Sequence, residues 1–200
     1  MHRAMRPGRA ICPADMHRHK ALWWGILAVI IIVAALFVPL PWADRTRIHN
    51  EVIIARPPAE VFDYVSTPGN WPAWHPSSLG VSGATDHPLA TGERVTETFV
   101  VAGRSGVVVW TVTDSKRPRE WVIEGEIEGR KAGTVTYTLT PALTPSLTPT
   151  SESTRFERDF TYQSPTLLFL LMNRLVLRPR IEAESTDAVG RLKAKLEAAR

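Results

Sequence analysis

Residues 52–76 constrain the fold more than any other part of the chain. A short apolar run, Val52-Ile53-Ile54-Ala55, ends at Arg56 and is broken by Pro57-Pro58. Neither proline can donate to a strand ladder, and both favour the first turn of a helix. Glu60 follows in that turn, where a negative charge is favoured. Val61, Phe62 and Val65 fall at helical spacing and predict one packed face. Thr67-Pro68-Gly69-Asn70 stops the helix. Trp71 and Trp74 lie three apart, between Pro72 and Pro76, and give a second short helix an aromatic face. The predicted order is strand, short helix, turn, short helix.

Downstream the chain reads as strands closed by one long helix. Runs at 77–83, 93–101, 107–114, 120–128, 134–140 and 155–163 join the first strand, 48–55. Several alternate cleanly. Trp121, Ile123 and Ile127 share one face of their strand, with Glu120, Glu124, Glu126 and Glu128 on the other. Turns are expected at Gly103–Gly106, Lys116–Arg119 and Gly129–Gly133, and residues 141–154 read as a low-complexity surface loop. Ser164-Pro165 reads as a helix cap with proline in the first position. The helix that follows is apolar through Leu177, should kink or break at Pro179, and ends as an amphipathic segment carrying Ile181, Val189, Leu192 and Leu196.

The combined pattern Pro-Pro-Ala-Glu-Val-Phe-Asp-Tyr-Val and Pro-Gly-Asn-Trp-Pro-Ala-Trp-His-Pro resembles the opening of START-like domains. These form the polyketide cyclase/dehydrase and lipid-transport superfamily known as SRPBCC. The resemblance covers residues 46–198. It implies an α+β helix-grip fold: a curved antiparallel sheet of about seven strands around a long C-terminal helix, with two short helices after the first strand and a cavity between. Alternation agrees, because half-apolar strands need one face covered and the last helix is the only long element available. Trp71, Trp74 and His75 lie where the family's short helices close one end of the cavity, either as a gate or as plain packing. His75 is also weighed as a general base, since histidine titrates near neutrality.

The N-terminal part has a different character. Residues 1–20 carry Arg3, Arg6, Arg9, Arg18 and Lys20 against Asp15, which accounts for the whole net charge of +4. A neutral remainder is unsuited to nucleic acid, whose recognition needs a basic patch. Residues 1–20 therefore read as a disordered basic cytoplasmic tail. Residues 21–40 contain no charge, and a membrane helix needs about 20 apolar residues. Trp23, Trp24 and Trp42 lie at the ends as interfacial anchors do. The expectation is a transmembrane helix over 21–41 in the cytoplasmic (inner) membrane. It is single-pass, with the N-terminus inside and the domain on the outer face. The alternative is a cleaved signal peptide, which is disfavoured because the apolar core is long and Pro41 stands at the third position before a cut after Ala43. Cys12 is the only cysteine, so no intramolecular disulfide forms.

Alternation predicts the inward residues. The candidate ligand-cavity set is Trp74, Glu97, Phe99, Trp110, Trp121, Tyr137, Arg158, Phe160, Tyr162 and Met172. Glu97 and Arg158 are charged residues on otherwise apolar faces. A buried charge must find a partner, so they should pair, reach the cavity or meet water at a strand end. No phosphate loop, paired cysteines or metal-binding histidine pattern is present, and no cofactor or metal is expected. The preferred reading is a membrane-anchored binding module holding a small hydrophobic or lipid-like ligand. The alternatives are a polyketide cyclase/dehydrase-like enzyme acting on a hydrophobic substrate, and an interaction or stress-related protein whose vestigial cavity is filled by its own aromatics.

Overall fold

The computed structural model describes residues 13–40, 45–142 and 152–198, with side chains described from Leu22 onward. A helix, α1 (Pro13–Leu36), precedes the first strand, β1 (Arg45–Ile54). Then come α2 (Pro58–Ser66), a 3-10 turn (Pro68–Asn70) and α3 (Trp71–Trp74). The strands β2 (Ser78–Gly83), β3 (Arg94–Val101), β4 (Arg104–Lys116), β5 (Glu120–Ile127), β6 (Arg130–Ala142) and β7 (Ser153–Gln163) follow. The chain ends with α4 (Leu167–Met172), a π-helical turn (Asn173–Leu177) and α5 (Arg178–Ala198).

All strand pairs are antiparallel, in the order β1-β7-β6-β5-β4-β3-β2. One face of this seven-stranded sheet packs against α2, α3 and α5. Ile54, Val112, Trp121, Leu139 and Phe156 from the strands meet Val61, Phe62 and Val65 of α2 and Ala188, Val189, Leu192 and Leu196 of α5 in one core. This is the helix-grip arrangement.

Several boundaries differ from the sequence expectation, each for a local reason. The hairpins β3–β4 and β5–β6 close through two residues each, Ala102-Gly103 and Glu128-Gly129, all with positive φ. Two-residue turns of this kind match the twist of their strands. Gly106 and Gly133, expected in turns, therefore lie inside β4 and β6. The helix cap is Thr166, whose Oγ1 accepts from the Phe169 N–H at 3.2 Å, rather than Ser164. Pro179 does not break the final helix. Its ring would crowd the carbonyl four residues back and it has no N–H to donate. The turn just before it widens, so that the Arg178 N–H bonds the Asn173 carbonyl and the helix continues to Ala198.

The sheet grips the charged half of the last helix, α5, and not its apolar half. No residue of α4 is buried. The apolarity of residues 166–177 predicts that half of the helix inside the grip, and the structure reverses this: the buried Ala188, Val189, Leu192 and Leu196 belong to α5. The basic tail expected over 1–20 overlaps α1, which begins at Pro13, and residues 1–12 lie outside the described ones. Trp42 and most of the 141–154 loop also lie outside them. Among the described residues no helix is long and apolar enough to cross a membrane.

Candidate functional site

A cavity of about 480 Å³ separates the inner face of the sheet from the final helix. Pockets of 300–1,000 Å³ suit small molecules. Glu97, Phe99, Trp110, Tyr137, Arg158, Phe160 and Tyr162 of the predicted set all border it. Strand alternation brought them to one face.

Trp74, Trp121 and Met172 do not border the space. Trp74 and Trp121 are buried in the core behind it. Met172 is 41% exposed on the outside of α4. Of the two helical tryptophans it is Trp71 that reaches the cavity, together with His75. A tryptophan pair three apart presents both rings near one helix face, and only the packing decides which ring is inner.

The floor is an aromatic stack. Tyr137 lies nearly parallel to Trp121, with centroids 5.5 Å apart, and meets Trp74 edge-on at 6.3 Å and Phe156 at 5.2 Å. Trp71 Nε1 donates to the Val65 carbonyl and Trp121 Nε1 to the Leu89 carbonyl, at 2.9 and 3.1 Å. Both rings are hydrogen-bonded and buried.

Glycines keep the space open. A Cβ on Gly125 would stand 2.7 Å from the Trp110 ring, its cross-strand neighbour. Cβ atoms on Gly106 and Gly133 would meet the rings of Phe99 and Phe160 in the same way. Phe99, Trp110 and Phe160 thus lie close against bare stretches of backbone, in space that a Cβ would take. The sequence reading missed these glycines because their role depends on cross-strand register.

The polar groups gather around Arg158. This side chain is only 6% exposed, and its Nη1 donates to Ser185 Oγ at 2.7 Å. Ser185 in turn hydrogen-bonds Asn50 Oδ1. Nη2 lies 3.3 Å from His75 Nε2, so His75 accepts and its Nδ1 carries the hydrogen. Nε has no partner. The Phe160 ring lies 5.7 Å from the guanidinium carbon. Arg158 is therefore a buried cation held by neutral groups. Glu97 makes no direct ion pair with it among the described residues, and the Arg158 charge reaches Glu97 through space.

Burial, aided by the Arg158 charge, holds His75 neutral by lowering its pKa to about 3. Burial raises the Glu97 pKa from its ordinary value, against the hydrogen bond from Trp110 and the charge of Arg158. The Trp110 Nε1–Glu97 Oε2 distance is 2.6 Å. Burial also raises Tyr137.

The final helix adds Ser185 and Glu184, which sequence alternation could not assign to the cavity. Glu184 accepts from Ser77 Oγ and from the Ala102 N–H, each at 3.0 Å, and ties the β3–β4 turn to the helix. Outside the cavity, His49, Glu51 and Glu157 bring ligand atoms within 4.8 Å of one another. They are mostly exposed, and exposed groups of this kind are common without an ion.

A family model described as polyketide cyclase / dehydrase and lipid transport matches residues 45–197. The chain belongs to this family. No curated protein sequence matches it. Among solved structures, an aromatase/cyclase from a Streptomyces species is 13% identical with a TM-score of 0.57 over 77% of this chain and 94% of its own. A protein from Thermus thermophilus is 14% identical, with a TM-score of 0.59 over 77% and 99%. A START superfamily protein from Mycobacterium smegmatis is 16% identical, with a TM-score of 0.53 over 77% and 99%. At these identities the likeness concerns the fold alone. The family and fold are those of a hydrophobic-ligand-binding or cyclase-like domain.

Proposed function

We propose that this chain is a membrane-anchored binding module, tethered through α1, that holds a small hydrophobic or lipid-like molecule between sheet and final helix. The observation that carries the reading is the hollow itself. Trp110 and Tyr137 border about 480 Å³ of space instead of filling it. A vestigial cavity would be occupied by those rings. The apolar walls suit a hydrocarbon body. Arg158, with neutral partners and an unused Nε, suits a carboxylate or other electron-rich group.

Native mass spectrometry of the full chain, released from detergent micelles after incubation with a long-chain fatty acid, tests the proposal. A retained one-to-one adduct is expected, and Val108→Phe, which narrows the cavity, should lose it. No adduct on the unaltered chain overturns the reading. Arg158→Met should weaken the fatty acid by about tenfold or more while sparing a neutral hydrocarbon probe, since hydrogen bonds to charged groups contribute about 1.5–3 kcal/mol.

A cyclase/dehydrase-type enzyme is a second reading, favoured by one observation. Glu97, His75 and Arg158 all border the same cavity. In that reading Glu97, inclined to keep its proton, is the acid. Arg158 orients a carbonyl, and His75 stays neutral as an acceptor. Glu97→Gln should then abolish turnover of a hydrophobic polyketide-like substrate while leaving its binding intact.

A further inference from the structure

α4 is wholly apolar, Leu-Leu-Phe-Leu-Leu-Met, yet none of its residues is buried. Leu171 and Met172 are 44% and 41% exposed, and Leu175 on the next turn is 76% exposed. Leu167 to Leu170 are half-buried, and Leu171, Met172 and Leu175 beside them form an exposed apolar patch that the domain itself does not cover. Two further observations identify what covers them.

The first is position. Pro165 and Phe169, at the start of this segment, border the cavity, so the apolar surface lies at the cavity mouth. The second is continuity with α1. The Leu40 N–H donates to the Pro165 carbonyl at 3.1 Å, and Pro39 bridges to Thr166. The backbone that leaves α1 is thus pinned to the same spot. Phe37 and Val38, 60% and 54% exposed, extend the apolar surface directly from one helix to the other. Asn173 locks the arrangement from inside. It accepts from the Tyr162 hydroxyl at 2.6 Å and donates to Thr46 Oγ1 at 2.8 Å, so α4 cannot turn its outer face inward.

We infer that the α4 face, together with the end of α1, rests in the surface of a lipid bilayer, so that the cavity mouth opens against the membrane. The inference rests on the reading of α1 as a membrane anchor. Helices of this kind bury an apolar face about 5–10 Å into the headgroup and acyl boundary. Arg130 at the rim of the mouth is an exposed cation that matches anionic headgroups. A ligand then passes between bilayer and cavity without crossing water.

Depth-dependent fluorescence quenching on the full chain tests this. Cys12→Ser removes the native thiol, and single cysteines placed by Val29→Cys, Leu175→Cys or Thr140→Cys carry an NBD label. Thr140 is exposed and ten residues along β6 from Arg130, which is roughly 33 Å at ~3.3 Å per residue. Each protein is reconstituted into phosphatidylcholine–phosphatidylglycerol vesicles containing acyl-chain nitroxide lipid. The expected result is a blue-shifted, strongly quenched label at 175, as at 29, and an unquenched label at 140. Quenching at 29 with none at 175 overturns the inference while leaving the anchor intact. No quenching at 29 overturns the anchor reading and the inference with it. Equal quenching at all three positions shows adsorption without orientation and also overturns it.

Discussion

The two ends of the cavity are built on opposite principles. At the floor, Trp71, Trp74, Trp121, Tyr137 and Phe156 are nearly or fully buried and touch ring to ring. At the mouth, α4 is as apolar as the floor, yet no residue of it is buried. The difference shows that apolar composition does different work in the two places. At the floor it holds the domain together; at the mouth it stays partly exposed, where the proposed contact with the bilayer would lie.

Substitutions should separate the two ends by size of effect. Trp121→Ala removes a fully buried ring from the floor and should lower stability by about 3–5 kcal/mol, read from the urea midpoint. A loss below about 1 kcal/mol would mean that the floor is not a core.

The next effect is on pH. The folded pKa of His75 lies below its unfolded value, so its stabilising contribution is present above about 6.5 and is lost as the pH falls toward 3. Between pH 7 and 5 the loss should be about 2 kcal/mol, at 1.36 kcal/mol per unit. Glu97 has the opposite sign. Its folded pKa is raised, so its contribution is present at low pH and is lost as the pH rises through that value. His75→Gln should flatten the acid side of the curve in unfolding series at pH 7 and 5, and an unchanged slope would remove His75 from the account.

Gly125→Ala stands between floor and mouth. Its new Cβ must displace Trp110, and overpacking of this kind costs about 1–3 kcal/mol. The displaced ring should also shrink the cavity and weaken a bound fatty acid, measured by native mass spectrometry.

The smallest effect is expected at the mouth. Leu175→Ser should change stability in micelles by no more than about 0.5 kcal/mol, because the side chain is mostly exposed. A large loss in a thermal melt would mean that the turn after α4 belongs to the core after all.

Much of this was legible in the chain. Period-two alternation in β3 to β7 placed Glu97, Trp110, Tyr137 and Arg158 on one face, because a strand's side chains must alternate whatever the register. The Pro-Pro start and the Thr-Pro-Gly-Asn stop located α2 through backbone chemistry that acts over a few residues. Trp74 and Trp121 lie behind the cavity because periodicity tells which face a residue shares, not how deep it lies there, and Met172 lies outside because the grip closes on α5 and not on α4.

What the sequence alone determined was local: element order, turn positions to within a few residues, the inward set of each strand and the charge-free run before β1. Tertiary structure alone decided the rest. It set Gly125 beneath Trp110, His75 against Arg158, Ser185 beneath the guanidinium, and α5 rather than α4 inside the grip. Those facts depend on residues far apart in the chain, as are Asn50 and Ser185, 135 positions apart, and Ala55 and Glu197, 142 apart. Local propensity acts along the chain over one or two turns, whereas burial depth and charge partners arise only when distant segments are packed together.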